Sequence, residues 1–256
     1  MNSDSTAKDC LTVEELAIKS LRELIPDVIS ANEKFKSNLY LLQWLKVEKL
    51  NPEKTEVMIR KSMEWRQENQ IMSEWKDEGF LKFKKTFGFS FGVDKHNCPV
   101  GYMPASTMDY RKGISFYGKK TWVKYWSHYY MFLEDLIYNF NNEKNVDTNR
   151  ISYGSSEGLT IFVDVKDFPL YQIASFEAVK LLVENLSNMR NYFPALTELC
   201  IYINMNKVFK SVFKVMKPII TLPYLTLEVY GSSEKEWRDR VLQIIDETQL
   251  NEFLES

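Results

Sequence analysis

The amino-acid sequence predicts an α/β fold in which a helical amino-terminal region precedes a domain built on a mixed, mainly parallel sheet. Two continuous apolar runs rich in β-branched residues, 159–164 and 199–204, are typical of strands buried on both faces. A segment of helical length, about 173–192, separates them as a crossover between parallel strands does. Apolar residues before position 72 recur at helical spacing, which predicts helices in that part of the chain.

The amino-terminal helices have recognisable start signals. Thr12 and Glu15 form a Thr-x-x-Glu capping box, which predicts a helix over about 13–25. A second apolar pattern runs through 39–45, and Asn51 followed by Pro52 is typical of the N-cap and first position of a further helix. The predicted domain organisation is a helical region over 1–75, an α/β domain over 76–250 and a carboxyl-terminal tail over 251–256.

Further patterns predict the rest of the α/β domain. Residues 87–93 alternate apolar and small residues like a strand, 94–97 are turn formers, and 99–103 complete a hairpin. The remaining predicted elements are a long helix with an aromatic stripe over 120–141, a strand over 225–230 and a last helix over 234–247.

Composition excludes several classes of function. The chain has 256 residues, of which 45% are hydrophobic, and a net charge of -2, so nothing indicates nucleic-acid binding. Its three cysteines are far apart, and neither histidine has a metal-ligand neighbour at the usual spacing, so we expect no disulfide framework, metal site or cofactor. No secretory signal or membrane-spanning run is present in the sequence, which favours a cytoplasmic protein.

Catalytic motifs are also missing from the sequence. There is no nucleophile elbow, phosphate-binding glycine loop or dinucleotide fingerprint, so we expect no enzyme. Asp164, at the end of a predicted strand, is the best candidate carboxylate, but capping of the following turn is its more ordinary role. Glu134 lies beside the aromatic stripe, where it could pair with a buried base. We expect it instead on the solvent-exposed flank of the long helix.

One segment, KVFKSVFKVMKP over 207–218, predicts a basic amphipathic helix. At about 100° per residue its lysines share one arc, and Pro218 is expected to end the helix. Two interpretations stay open: a surface helix that covers the core, or a helix that touches an anionic membrane. The lysines are Lys207, Lys210, Lys214 and Lys217, and the opposite side holds Val208, Phe209, Val212, Phe213 and Met216.

Eight short motifs, in this order and spacing, resemble those of the CRAL-TRIO lipid-binding family over about residues 12–247. They are YLLQWL (40–45), EWR (64–66), DKHNCPV (94–100), LTIFVD (159–164), NYFP (191–194), IYIN (201–204), KP (217–218) and YGSS (230–233). The resemblance implies an apolar pocket floored by the sheet, holding one hydrophobic molecule and closed by a mobile gate helix.

The resemblance also assigns roles to individual residues. The gate helix would be 207–217, with its four lysines meeting a membrane surface transiently during ligand exchange. The ligand would contact residues of the long helix, the sheet and the gate. These expected contacts are Tyr102, Tyr117, Trp126, Tyr129, Tyr130, Leu133, Cys200, Tyr202, Phe209, Val212, Phe213 and Met216.

Departures from the family pattern narrow the expected ligand. Phosphoinositide-handling members have an acidic residue and a lysine where this chain has Ala195 and Thr226. Another member holds a membrane phosphoinositide with basic residues, and here those positions align with Leu196 and Glu198. We therefore expect a neutral isoprenoid, sterol, tocopherol or retinoid-like ligand, transferred between membranes. Phospholipid transfer, a regulatory module that binds a protein partner and carries little lipid, and an isoprenoid-converting enzyme are the alternatives.

Overall fold

The computed structural model describes residues 11–71, 77–145, 150–172 and 174–255. Its amino-terminal part is helical, as predicted, and the capping box of Thr12 and Glu15 and the N-cap of Asn51 are both formed. Apolar side chains from these helices share a core that includes Leu21, Trp44 and Ile59. The helices are α1 (Val13–Leu24), α2 (Pro26–Ala31), α3 (Asn38–Val47) and α4 (Pro52–Glu68).

The remainder of the described chain alternates strands and helices. The strands are β1 (Ser90–Val93), β2 (Pro99–Pro104), β3 (Leu159–Asp164), β4 (Thr197–Ile203) and β5 (Thr226–Val229). The helices are α5 (Glu78–Phe87), α6 (Tyr110–Tyr117), α7 (Lys119–Lys144), α8 (Phe176–Tyr192), α9 (Lys207–Ile220), α10 (Glu234–Ile244) and α11 (Glu247–Glu255).

The strands form one five-stranded sheet in the order β1-β2-β3-β4-β5. The β1–β2 pair is the predicted antiparallel hairpin, and the other three pairs are parallel. The mixed, mainly parallel sheet predicted from the sequence is thus confirmed.

Alternation along the strands gives the sheet two different faces. On one face, residues such as Phe162 and Ile201 pack against Trp237 of α10 and Phe253 of α11. On the other, residues such as Ile161 and Tyr202 belong to a larger cluster with side chains of α7, α8 and α9. The larger of the two apolar clusters therefore lies on the α7–α8–α9 side of the sheet.

Three details of the predicted organisation are corrected. Helices α5 and α6 were not predicted, and residue 87, assigned to a strand, ends α5. The expected tail over 251–256 is wrong for its described part, because residues up to 255 belong to α11 and bury Phe253 against the sheet. Within the described ranges, no helix has both the length and the apolar character needed to cross a bilayer.

Candidate ligand-binding cavity

An internal cavity lies between the sheet and the helices α7, α8 and α9. Its wall is almost entirely apolar, and each of these elements contributes to it. The lining side chains of the sheet include Ile161 and Val163, and those of α8 are Leu182, Leu186 and Met189. The cavity is thus a space within the larger hydrophobic core of the domain.

The size of the cavity limits what it can hold. It offers about 140 Å³ to the centres of water-sized molecules. One water needs roughly 10–15 Å³ of this space for its centre and fills about 30 Å³ in the liquid. The cavity therefore has room for on the order of 300 Å³ of liquid. That volume is at the lower end for small-molecule sites. It suits one compact lipid better than a two-chain phospholipid.

No charged side chain is among the described residues that line the cavity. Its polar groups are Tyr110, Tyr130, Tyr202, Thr197, Cys200 and the indole of Trp126. Burial raises the pKa of the Cys200 thiol to about 12, so this thiol stays neutral. A buried charge without a partner is costly, so a wall of this kind favours an uncharged ligand.

Helix α9 closes one side of the cavity with its apolar face. Phe209, Phe213, Met216 and Ile220 are buried, at the spacing of one helical face. The lysines at 207, 210, 214 and 217 are all exposed. Val208 is 50% exposed, a correction to its expected place on the inner side, because it lies about 100° around the axis from Phe209.

Pro218 does not end α9, contrary to the expectation, since the helix continues to Ile220. Pro218 lacks the N–H of one intrahelical hydrogen bond, and only two further residues follow it in the helix. Arg190, near the end of α8, hydrogen-bonds through Nη1 to the carbonyl oxygens of Pro218 (3.2 Å) and Ile219 (3.3 Å). The carboxyl-terminal ends of α8 and α9 are therefore tied together.

The profile of the CRAL/TRIO domain family matches residues 83–255, well over half of the chain. The chain belongs to the CRAL/TRIO domain family. Membership assigns it to lipid binding and transfer in general, without specifying a ligand. Among solved structures it is similar to the crystal structure of Sfh5, with 15% identity and a TM-score of 0.61 over 87% of this chain and 82% of that chain. At that identity, the likeness shows the fold.

In this CRAL/TRIO chain, half of the twelve expected ligand contacts line the cavity. Phe213 does not, but its ring lies 4.7 Å from that of Tyr202, so it forms the layer behind the wall. The side chain of Val212 lies outside the described residues. The six that line the cavity are Trp126, Tyr130, Cys200, Tyr202, Phe209 and Met216.

Tyr102 lies on the opposite face of the sheet from the cavity. Its ring stacks on Phe253 of α11, and its hydroxyl donates to Asp164 Oδ2 over 3.0 Å. Its neighbour Met103 lines the cavity instead. Tyr102 thus faces away from the cavity and Met103 faces it, because a shift of one residue along a strand reverses the side-chain direction.

Three further expected contacts are packed away from the cavity. Tyr117 joins an aromatic group with Phe83 and Trp122. Tyr129 accepts a hydrogen bond from the backbone N–H of Phe89 over 2.7 Å, and Leu133 is buried further along α7. The aromatic stripe of α7 extends beyond the cavity, and its remaining side chains pack against neighbouring elements.

Sequence reasoning missed the wall that precedes α7. Met108 and Tyr110 line the cavity and are fixed by the buried side chain of Gln172. Gln172 accepts from the N–H of Tyr110 over 2.6 Å and donates to the carbonyl oxygen of Met108 over 2.7 Å. The α8 wall could have been found from the spacing of Leu182, Leu186 and Met189, whereas the Gln172 contacts have no local signal.

The two candidate carboxylates have structural partners. Asp164 accepts from the backbone N–H of Lys166 (2.8 Å), from Asn204 Nδ2 (2.8 Å) and from Tyr102, which fits the expected turn-capping role. Glu134 is fully buried rather than on a solvated flank, and it pairs with Arg66. Among the residues that the structure describes, no cluster of His, Cys, Asp and Glu could hold a metal ion.

A larger groove lies on the surface between α4 and the segment after α9. It offers about 1000 Å³ but is open, and its walls mix acidic side chains such as Glu48 and Glu53 with basic ones such as Lys54, Lys61 and Arg190. Such an open and partly charged groove would leave much of a bound lipid in contact with water. The small internal cavity is therefore the better candidate site for a hydrophobic ligand.

Proposed function

We propose that this CRAL/TRIO protein binds one small neutral lipid, of isoprenoid, sterol, tocopherol or retinoid type, in the internal cavity and transfers it between membranes without a catalytic step. The observation that carries the proposal is the cavity wall, which is apolar and free of charged side chains throughout its described lining. Burying several hundred Å² of lipid surface at about 25 cal/mol per Å² supplies several kcal/mol of affinity.

Exchange requires a route between the cavity and the membrane, and α9 is the element suited to open. Its buried face lines the cavity, and its outer face presents four exposed lysines together with the exposed Val208 and Val215. Lysines near an anionic surface contribute about 1 kcal/mol each. Contact through α9 would thus be favourable but reversible, so in this proposal α9 is the gate.

The proposal predicts that reversing two gate charges slows transfer. In Lys207→Glu with Lys210→Glu, attraction to an anionic vesicle is lost and repulsion replaces it, so we expect at least a tenfold slower transfer. Retinol, α-tocopherol and dehydroergosterol, which fluoresce themselves, are suitable probes. Transfer is followed between phosphatidylcholine vesicles with and without phosphatidylserine.

A matched control reverses two exposed lysines elsewhere, Lys19 on α1 and Lys235 on α10, and changes the net charge equally. The control should transfer at the unmodified rate, and the gate variant should bind the probes in the absence of vesicles. Equal rates for the two double variants would contradict membrane contact through α9. If none of the three probes binds the unmodified protein, neutral-lipid binding itself is contradicted.

A further inference from the structure

Three tyrosines from separate elements meet at the cavity. Tyr110 begins α6, Tyr130 lies on α7 and Tyr202 lies on β4, and all three are buried and line the cavity. Burial raises the pKa of Tyr130 and of Tyr202, so both phenols stay protonated. The three side chains share the wall of one small cavity, so a single ligand can reach all of them. These residues are called the tyrosine cluster below.

The hydroxyls of the tyrosine cluster lack strong hydrogen-bond partners. Within the described part of the chain, the hydroxyl of Tyr130 has no hydrogen bond. Tyr110 has the buried Asn185 amide nearby, but without hydrogen-bond geometry, and Tyr202 has only the weakly polar thiol of Cys200. Tyrosines outside the cavity differ in this respect: Tyr40, Tyr102 and Tyr125 donate to carboxylates, and Tyr129 accepts a backbone N–H.

A further donor lies beside the cluster. Trp126 lines the cavity one turn before Tyr130 on α7, and the centres of the two rings are 5.8 Å apart. Its indole N–H is buried and has no hydrogen-bond partner among the described residues. An indole N–H can only donate, and a tyrosine hydroxyl can donate as well as accept. The polar part of the cavity is therefore rich in donors.

Buried polar groups in native proteins are normally hydrogen-bonded, and an unpartnered group calls for an explanation. A bound ligand with an acceptor oxygen would provide that explanation, because the oxygen would accept hydrogen bonds from these donors. An anionic headgroup would not fit, since no described lining residue carries a compensating positive charge. A pure hydrocarbon would leave the donors unsatisfied.

We infer that the ligand carries a neutral acceptor oxygen, such as a ketone, aldehyde, ester or ether, and that Tyr110, Tyr130 and Tyr202 hold it. This assignment rests on the proposed function and adds a polar anchor to it. The apolar remainder of the ligand then extends along the walls formed by α8, β5 and α9.

Competition between a ketone and a hydrocarbon tests the anchor. Phytone, a branched isoprenoid ketone, and phytane, a branched isoprenoid alkane of similar length, are mixed in equal amounts in phosphatidylcholine vesicles. The protein is incubated with the vesicles and separated from them, and gas chromatography measures the ratio of the two bound molecules. Because both come from the same sample, partial unfolding of a variant leaves their ratio unaffected.

The unmodified protein should enrich phytone over phytane. Tyr110→Phe, Tyr130→Phe and Tyr202→Phe should each lower the bound ratio about two- to fivefold, and the triple variant about tenfold or more. Tyr117→Phe is the matched control, since Tyr117 lies outside the cavity lining, and it should leave the ratio unchanged.

Two results would overturn the anchor while leaving lipid binding intact: no enrichment of phytone by the unmodified protein, or an unchanged ratio in the single and triple variants. Failure of the unmodified protein to take up either molecule would overturn the anchor and the proposed function together. A triple variant that still binds phytane but no longer prefers phytone would support both.

Discussion

We expect Glu134→Gln to lower the free energy of unfolding by about 3–5 kcal/mol, because it leaves the guanidinium of Arg66 buried without a counter-charge. Glu134 is fully buried and accepts two hydrogen bonds of 2.8 Å from Arg66, from Nη1 and Nη2. Tyr40 donates to the same carboxylate over 3.0 Å. For a chain of this size the loss corresponds to a fall of roughly 6–20 °C in the melting temperature, measurable by calorimetry.

Two comparisons separate this effect from a general loss of charge. Asp27→Asn breaks an exposed pair with Arg60 and should lower the free energy of unfolding far less than Glu134→Gln does. Arg66→Met combined with Glu134→Leu removes both buried charges, and Ser62 still donates to the Tyr192 carbonyl oxygen that Arg66 also contacts. The double variant should be clearly more stable than the sum of its single changes implies. Strict additivity would contradict the pairing.

The same pair gives the stability a defined pH dependence. Burial alone would raise the pKa of Glu134, but Arg66, Lys34 and Tyr40 outweigh it and hold that pKa below the ordinary value of about 4.5 for a glutamate. The pair's contribution is therefore fully present above that value and is lost as the pH falls through the lowered pKa. The free energy of unfolding should therefore fall more steeply with decreasing pH in the unmodified protein than in the double variant, which lacks the pair.

We expect Leu227→Trp to reduce binding of a neutral lipid probe about 100-fold or more, because it fills the cavity from the sheet side. Leu227 lies on β5 opposite Cys200 and lines the cavity, while its partial exposure leaves the backbone room to adjust. Overpacking costs typically 1–3 kcal/mol, so the protein should remain folded. Fluorescence titration with retinol measures the affinity, and calorimetry checks the fold.

Thr226→Trp is the control for the cavity-filling variant. Thr226 is the preceding residue of β5 and is exposed, so its side chain does not line the cavity. The control should bind retinol with unchanged affinity. If Leu227→Trp also binds normally, the lipid occupies another place, such as the open groove beside α4.

The buried strands could be predicted from the sequence because each strand's own residues carry its signal. A parallel strand covered on both faces is a continuous apolar run, and β3 was predicted with the bounds that the structure has. Helix α5 was missed although Phe80, Phe83 and Phe87 have helical spacing and Asp77 caps the helix. Residues 87–93 alternate apolar and small residues, so the predicted strand began at residue 87, which is the last residue of α5.

The candidate site was predictable only in part, for two physical reasons. On a strand, an error of one residue exchanges the faces, which explains Tyr102 and Met103. On α7, apolar residues pack against several neighbours, so the stripe alone does not show which part faces the cavity. The burial of Glu134 depends on Arg66, 68 positions earlier in the chain, and no local pattern reports such a pair.

Identification of a natively bound small molecule tests the central claim most directly. The protein is purified without detergent, and its organic extract is quantified by mass spectrometry against the protein concentration. The proposed function predicts one neutral lipid per chain, and the tyrosine cluster predicts that it carries an acceptor oxygen. A two-chain phospholipid at equal stoichiometry, or a protein that stays empty after incubation with mixed lipids, would contradict the claim.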